Sequence, residues 1–208
     1  TNLMALTAVD VSASSAAVNF TNVTAGSAIT LTGNTGAVDV QHKNAGLTGL
    51  SDSVSIALIG NTGSVTIDSD GVADIESATI TATGVNSGTL VIGDSSASTI
   101  TSLTVDGAGS LTITATDLAT LTTLDASANT GGVSYVGQVT SETVTLTGGA
   151  GNDTLTGNTG DDVITGGAGK DTLSTGAGGD DHVDAGAGDD TVIVSNVTKA
   201  DTIDGGDG

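Results

Sequence analysis

The chain has 208 residues, 24 of them acidic and three basic, for a formal net charge of −21; it carries 32 glycines, no proline, cysteine or tryptophan, one tyrosine and one phenylalanine. That balance excludes nucleic-acid and anionic-membrane partners, which call for basic patches, and the absence of cysteine excludes a disulfide framework or a thiol nucleophile. Two aromatics cannot fill a wide globular core, whereas small and β-branched residues suit the thin apolar column of a solenoid and disfavour helices.

In chain order, residues 1–27 offer only short apolar and Thr-rich runs such as 17–23, read as strands. From Ala28 a period-two pattern takes hold: Ile29 and Leu31, Val38 and Val40, Val54 with Ile56 and Leu58, Val65 and Ile67, Leu90 and Ile92, Leu103 and Val105, Leu111 and Ile113. Gly, Asn, Asp or Ser fills each gap, which predicts short strands joined by tight turns. TLTGNTGAVDV at 30–40 echoes ALIGNTGSVTI at 57–67, and the spacing from Leu103 to Leu124 and from Leu111 to Val133 implies two strands per coil of about 20 residues. In 116–126, Leu118, Leu121 and Leu124 recur every three residues; the segment is kept as β, with leucines at the corners of a coil. Connections between parallel strands of one sheet are overwhelmingly right-handed, so a right-handed coil is expected.

Few residues suggest chemistry before residue 148. Asp68, Asp70 and Asp74, with Glu76, form an acidic loop bent at a glycine, a secondary candidate for calcium or simply a solvated turn. His42 and His182 belong to no metal-binding cluster and are read as surface residues. There is no GxSxG elbow and no P-loop lysine, and the paired-carboxylate chemistry of glycosidases would lack aromatic sugar platforms; no catalytic residue is assigned. Thr-x-Thr runs are read as the polar, β-branched outer faces of strands.

Residues 148–193 are different: GGAGNDTLT, GNTGDDVIT, GGAGKDTLS, TGAGGDDHVD and AGAGDDTVI stack with a glycine-rich start, an Asp sixth and an aliphatic residue eighth. The sixth-position residues are Asp153, Asp162, Asp171, Asp181 and Asp190; the eighth are Leu155, Ile164, Leu173, Val183 and Val192, with an insertion around Gly179 and Asp180. Two nonapeptides make one coil, so the aliphatics form an inner column while Asp153, Asp171 and Asp190 line one edge and Asp162 and Asp181 the other. Stacked carboxylates repel unless a cation lies between them. The glycines bare main-chain carbonyls at Gly149, Gly151, Gly160, Gly167, Gly169, Gly176, Gly178, Gly186 and Gly188, and a cage of hard oxygens suits calcium. Asp180, Asp201 and Asp207 are secondary ligand candidates, Asp201 because DTIDGGDG restarts the register. Asp153 and Asp171 bound the most regular cage. Twelve of the 24 acids fall in 148–208, so without divalent cations this end should be disordered by self-repulsion.

These residues resemble the GGxGxDxUx nonapeptides of the RTX family of secreted bacterial proteins, the first copy matching at every position. The preceding Thr/Ala/Gly-rich stretch, with TITATG, SLTITATDLATLTTLDAS and TVTLTGG, resembles the lattice-forming part of RTX-type surface-layer proteins such as that of Caulobacter. The expected fold is all-β, a right-handed parallel β-helix or β-roll. An irregular solenoid in 1–147 would run without a hinge into an RTX β-roll in 148–208.

The resemblance implies a non-enzymatic structural protein that binds several Ca2+ ions, leaves by type I secretion and self-associates into a lattice on the bacterial cell surface. No signal peptide, membrane-spanning run or lipid anchor is visible, and the chain reads as a piece of something longer, so cell-surface anchoring is expected from a region outside it. Cytosolic calcium is too scarce to neutralise the Asp ladders, while extracellular levels near ~10⁻⁴ to 10⁻³ M would fold the chain outside the cell. The alternatives are the stalk of a large RTX adhesin and the calcium-folding C-terminal module of a secreted hydrolase.

Overall fold

The computed structural model describes residues 8–23, 28–42, 53–69, 75–92, 100–115, 118–138, 140–197 and 200–208, and contains no helix among them. The described strands form two parallel sheets. One has ten strands, from Ala8–Ser12 to Thr202–Asp204; the other has nine, from Val18–Val23 to Thr191–Ile193. Strands alternate between the sheets in chain order, so the chain winds as a β-solenoid and each strand pairs with its equivalent one coil away.

Period-two patterning does the sorting. Leu124, Leu146, Ile164, Val183 and Ile203 pair in register on one sheet, and Ile113, Tyr135, Leu155, Leu173 and Val192 on the other. Most of these side chains turn inward and form one buried column continuous with Ile29, Ile56, Ile80 and Leu103. Outward positions are polar: Thr112, Ser134, Thr154, Thr172 and Thr191 are successive rungs of one column. Leu118 and Leu121 bracket a turn closed by Leu121 N–H donating to Leu118 C=O at 3.0 Å, at a corner of the coil as expected, whereas Leu124 lies within the strand Thr123–Asp125; all three are buried.

The two edges differ. On the edge leading from the ten-stranded to the nine-stranded sheet, described turns are short throughout. On the opposite edge, connections vary in length. Coil rise therefore spans 27 residues between Asn34 and Asn61 and contracts to 18 between Asp153 and Asp171. Both sheets run unbroken across residue 148.

The short edge in the N-terminal half is pinned by asparagines. Backbone N–H groups of Ser14, Asn34 and Asn61 donate to Oδ1 of Asn34, Asn61 and Asn86, at 2.9–3.0 Å, each acceptor one coil further on. The amide nitrogens reach back, Asn34 Nδ2 to Val11 C=O at 3.0 Å and Asn61 Nδ2 to Leu31 C=O at 2.6 Å. Asn129 closes the series, with Oδ1 accepting from Gly131 and Gly132 and Nδ2 donating to Gly109 C=O. An amide carries a donor and an acceptor, so it joins two coils while remaining neutral. Asn61→Ala is expected to leave the Asn34 N–H and the Leu31 C=O without these bonds. Each buried backbone group left unpaired costs about 1–3 kcal/mol, readable as a lower urea midpoint for this half.

Candidate metal centre

At residue 133 the short edge exchanges amides for carboxylates and keeps the same bonding direction. Val133 N–H donates to Asp153 Oδ1 at 2.6 Å, Asp153 N–H to Asp171 Oδ1 at 2.8 Å, and Asp171 N–H to Asp190 Oδ1 at 2.8 Å. The opposite edge repeats the device. Val144 N–H donates to Asp162 Oδ1 at 3.0 Å, Asp162 N–H to Asp181 Oδ1 at 2.9 Å, and Asp181 N–H to Asp201 Oδ1 at 3.0 Å. The structure thus brings Asp153, Asp171 and Asp190 into one ladder and Asp162, Asp181 and Asp201 into the other.

A carboxylate differs from an amide in having a second acceptor where the amide has a donor. The second oxygens have different fates. Asp153 Oδ2 accepts from Gly149 N–H at 2.8 Å and Asp162 Oδ2 from Asn158 N–H at 2.6 Å. Asp171 Oδ2 and Asp190 Oδ2 are buried with no hydrogen-bond partner. Asp171 is 0% exposed. The most regular cage by sequence lay between Asp153 and Asp171, yet Asp153 already satisfies both oxygens, and the unmet acceptors lie at Asp171 and Asp190.

Glycines make the room. A Cβ on Gly148 would stand 2.5 Å from Asp153 Oδ2, and one on Gly166 2.6 Å from Asp171 Oδ2, so the leading glycine leaves space for the carboxylate. At Gly167, φ is +106°, and a Cβ there would collide with the Gly149 carbonyl oxygen. The carbonyl oxygens of Gly151, Gly169, Gly186 and Gly188 bear in the same way on the turn one coil further on, and on the other edge that of Gly160 bears on Gly179. Gly176 and Gly178 also have positive φ, +90° and +149°. A hollow of about 440 Å³ opens beside Asp190, lined by Lys170, Gly188, Asp189, Gly205 and Gly208.

Among the described residues no three His, Cys, Asp or Glu side chains converge as a metal cluster. A cation here must therefore draw part of its shell from main-chain carbonyls. An unpartnered buried carboxylate oxygen among hard carbonyl oxygens in a glycine-lined cradle fits calcium, which accepts six to eight oxygens in flexible geometry. Asp171 and Asp190 would supply side-chain oxygens and the turn glycines carbonyls; the ion would supply the positive charge that stacked carboxylates lack.

The remaining candidates are dispersed. Asp207 continues the short edge through its backbone, its N–H donating to Gly186 C=O and its C=O accepting from Gly188 N–H, while its side chain is exposed. Asp180 is exposed at a turn tip, its N–H donating to Asp161 Oδ1. Asp70 and Asp74 lie outside the described residues, as does the side chain of Asp68 in the strand Val65–Ser69. The His42 side chain is likewise outside them. His182 is exposed, with Nδ1 beside Thr202 Oγ1.

Burial holds the carboxyls of Asp153, Asp162, Asp171 and Asp181 above their ordinary value of 3.8, against the backbone hydrogen bonds that pull the other way. A raised folded-state value means that the metal-free fold is penalised while these groups are charged. The penalty lifts as pH falls through the raised values toward 3.8, because the folded state takes up protons before the unfolded one. In chelator, mild acidification is therefore expected to recover part of the repeats' β signal by circular dichroism. With calcium bound the same acidification should lower their urea midpoint, since protons compete for the ligands.

Residues 147–180 and 175–194 match the family model of the RTX calcium-binding nonapeptide repeat, in four copies. No curated protein matches the chain. The C-terminal coils are therefore RTX repeats, and such repeats bind calcium.

Proposed function

We propose that the chain is a non-catalytic structural element of a bacterial cell surface, exported by a type I system and folded by calcium outside the cell, where it serves as a subunit of a surface-layer lattice. The observation that carries this reading is the unbroken passage of both sheets from an amide-pinned solenoid into carboxylate-pinned RTX coils. One rod then has a metal-independent body and a metal-dependent end, a construction suited to a protein that must stay partly unfolded for export and stiffen on arrival. The outward column from Thr112 to Thr191 gives the nine-stranded sheet a polar face over that stretch.

Tyr135 is a built-in reporter. It is the only tyrosine, 1% exposed, and no tryptophan competes with it. Burial, with the charge of Asp162 second, pushes its phenol up to about 12, so it stays neutral across the working pH range. Calcium titration of the chain is expected to change Tyr135 emission with saturation near ~10⁻⁴ to 10⁻³ M and to yield two-dimensional crystalline arrays by electron microscopy. Folded but solitary molecules at saturating calcium would overturn the lattice and favour an adhesin stalk.

A further inference from the structure

We propose that the outward face of the nine-stranded sheet, from the strand Val85–Ile92 to the strand Thr191–Ile193, is the surface through which one copy of the chain meets a second. This rests on the lattice reading above and adds to it which face makes the contact.

The face differs from the rest of the molecule in charge. Its six strands contain no Asp, Glu, Lys, Arg or His. Over the same coils the strands of the ten-stranded sheet carry Asp106, Asp125, His182, Asp184 and Asp204, and the turns carry the Asp ladders. With a net charge of −21, two copies repel wherever these acids face each other. Outward charges on the far sheet lie beyond the sheet-to-sheet spacing of about 10 Å, which exceeds a Debye length of about 8 Å at physiological salt. The edge carboxylates are countered by the calcium that the repeats bind. The uncharged face is therefore where a second copy can approach, whereas a basic partner would be drawn to the acidic sheet.

The side chains suit that approach. Thr89, Thr112, Ser134, Thr154, Thr172 and Thr191 pair in one row across six coils, and Val136, Thr156, Ser174 and Ile193 pair in a second row beside it. Unequal loops hide these rows in the sequence, yet the strands bring them into register. β-Branched side chains are stiff, so ordering them against a partner costs little rotamer freedom, and each hydroxyl can donate and accept. Six large hydrophobic side chains are exposed among the described residues, and three of them, Val85 at 73%, Val136 at 59% and Ile193 at 49%, lie in these strands. A second copy presents rungs at the same spacing of about 4.8 Å. The ridges of one face then fit the grooves of the other along the whole row, as in a steric zipper.

Size sets the strength of the contact. Two rows over six coils cover on the order of 300 Å² per copy, against about 800 Å² per partner in a stable complex. A single contact is weak and holds only when repeated across an array.

The test adds one carboxylate to either face. Thr154→Asp and Thr145→Asp make the same change of residue and charge at exposed positions, the first on the nine-stranded sheet and the second on the ten-stranded one. In saturating calcium, sedimentation equilibrium of the full chain is expected to show association weakened about tenfold or more by Thr154→Asp and unchanged by Thr145→Asp. Electron microscopy should show arrays lost only in the first. Circular dichroism and Tyr135 emission check that each variant folds. Should Thr154→Asp fail to fold, Thr154→Cys, alkylated with a bulky maleimide after folding in calcium, decides in its place, with Thr145→Cys as control; the parent has no cysteine. Equal effects on the two faces, or loss only with Thr145→Asp, would overturn the choice of face and leave the lattice standing. A parent chain that neither associates nor forms arrays would overturn the lattice reading itself, and this contact with it.

Discussion

Chelation of calcium is expected to unfold residues 148–208 while leaving the solenoid of residues 28–138 folded. The two halves share an inner apolar column and a short edge on which a side-chain Oδ1 accepts a backbone N–H across coils. They differ in what stands beside that oxygen. Asn34 and Asn61 place an amide donor there and direct it to the Val11 and Leu31 carbonyls. Asp171 and Asp190 place a buried anionic oxygen there with nothing to receive it. Desolvating a charge without a partner costs several kcal/mol, and a solenoid is held by nearest-neighbour terms that cannot average such a cost over a wide core. Twelve carboxylates in 61 residues add self-repulsion. Circular dichroism should show a partial, calcium-reversible loss of β signal, and limited proteolysis in chelator should trim the chain back toward residue 148. Full retention of β signal would contradict the account.

Gly167→Val is expected to remove most of the calcium-induced folding, whereas Gly205→Val should be close to silent. Gly167 combines a φ of +106° with the Gly149 carbonyl oxygen where a Cβ would go, and the blocking atom is backbone that cannot swing aside. Left-handed strain at a β-branched residue costs about 1–3 kcal/mol, and forced displacement of packed atoms about as much again. A Cβ added at Gly205 would meet nothing within 4 Å, and φ there is not positive. Both belong to glycine-rich segments on the same edge, so the pair separates steric fit from composition. The readout is the calcium concentration at half-maximal change in Tyr135 emission, expected to rise at least tenfold for the first variant and to stay put for the second.

Much of the fold was legible because a solenoid writes its inside and outside into a period of two. Leu155, Ile164, Leu173 and Val183 could be placed in the column from the eighth-position rule alone, and each is fully buried. The stacking of Asp153 on Asp171 followed from two nonapeptides per coil, and the 18-residue hydrogen bond between them reflects it. The asparagine edge was not legible. GNTG at 33 and 60 stood out as an echo, but the partners of Asn34 and Asn61 lie 20 to 30 residues away and depend on loops of unequal length on the far edge. Asn86 and Asn129 sit outside that tetrapeptide altogether. The difference between a satisfied Asp153 and an unsatisfied Asp171 is likewise invisible in two identical GGAG turns; it lies in the backbone angle at the second glycine.

One edge of the rod is thus pinned first by neutral amides and then by the carboxylates of the calcium-binding repeats. Residue-resolved hydrogen exchange on the full chain, with and without calcium, probes that change at two equivalent ladder amides. The Asn61 N–H, bonded to Asn86 Oδ1, should be protected in both conditions. The Asp171 N–H, bonded to Asp190 Oδ1, should be protected with calcium and exchange at the unfolded-chain rate in chelator. Equal protection of Asp171 in both conditions, or joint loss at both amides on chelation, would contradict it.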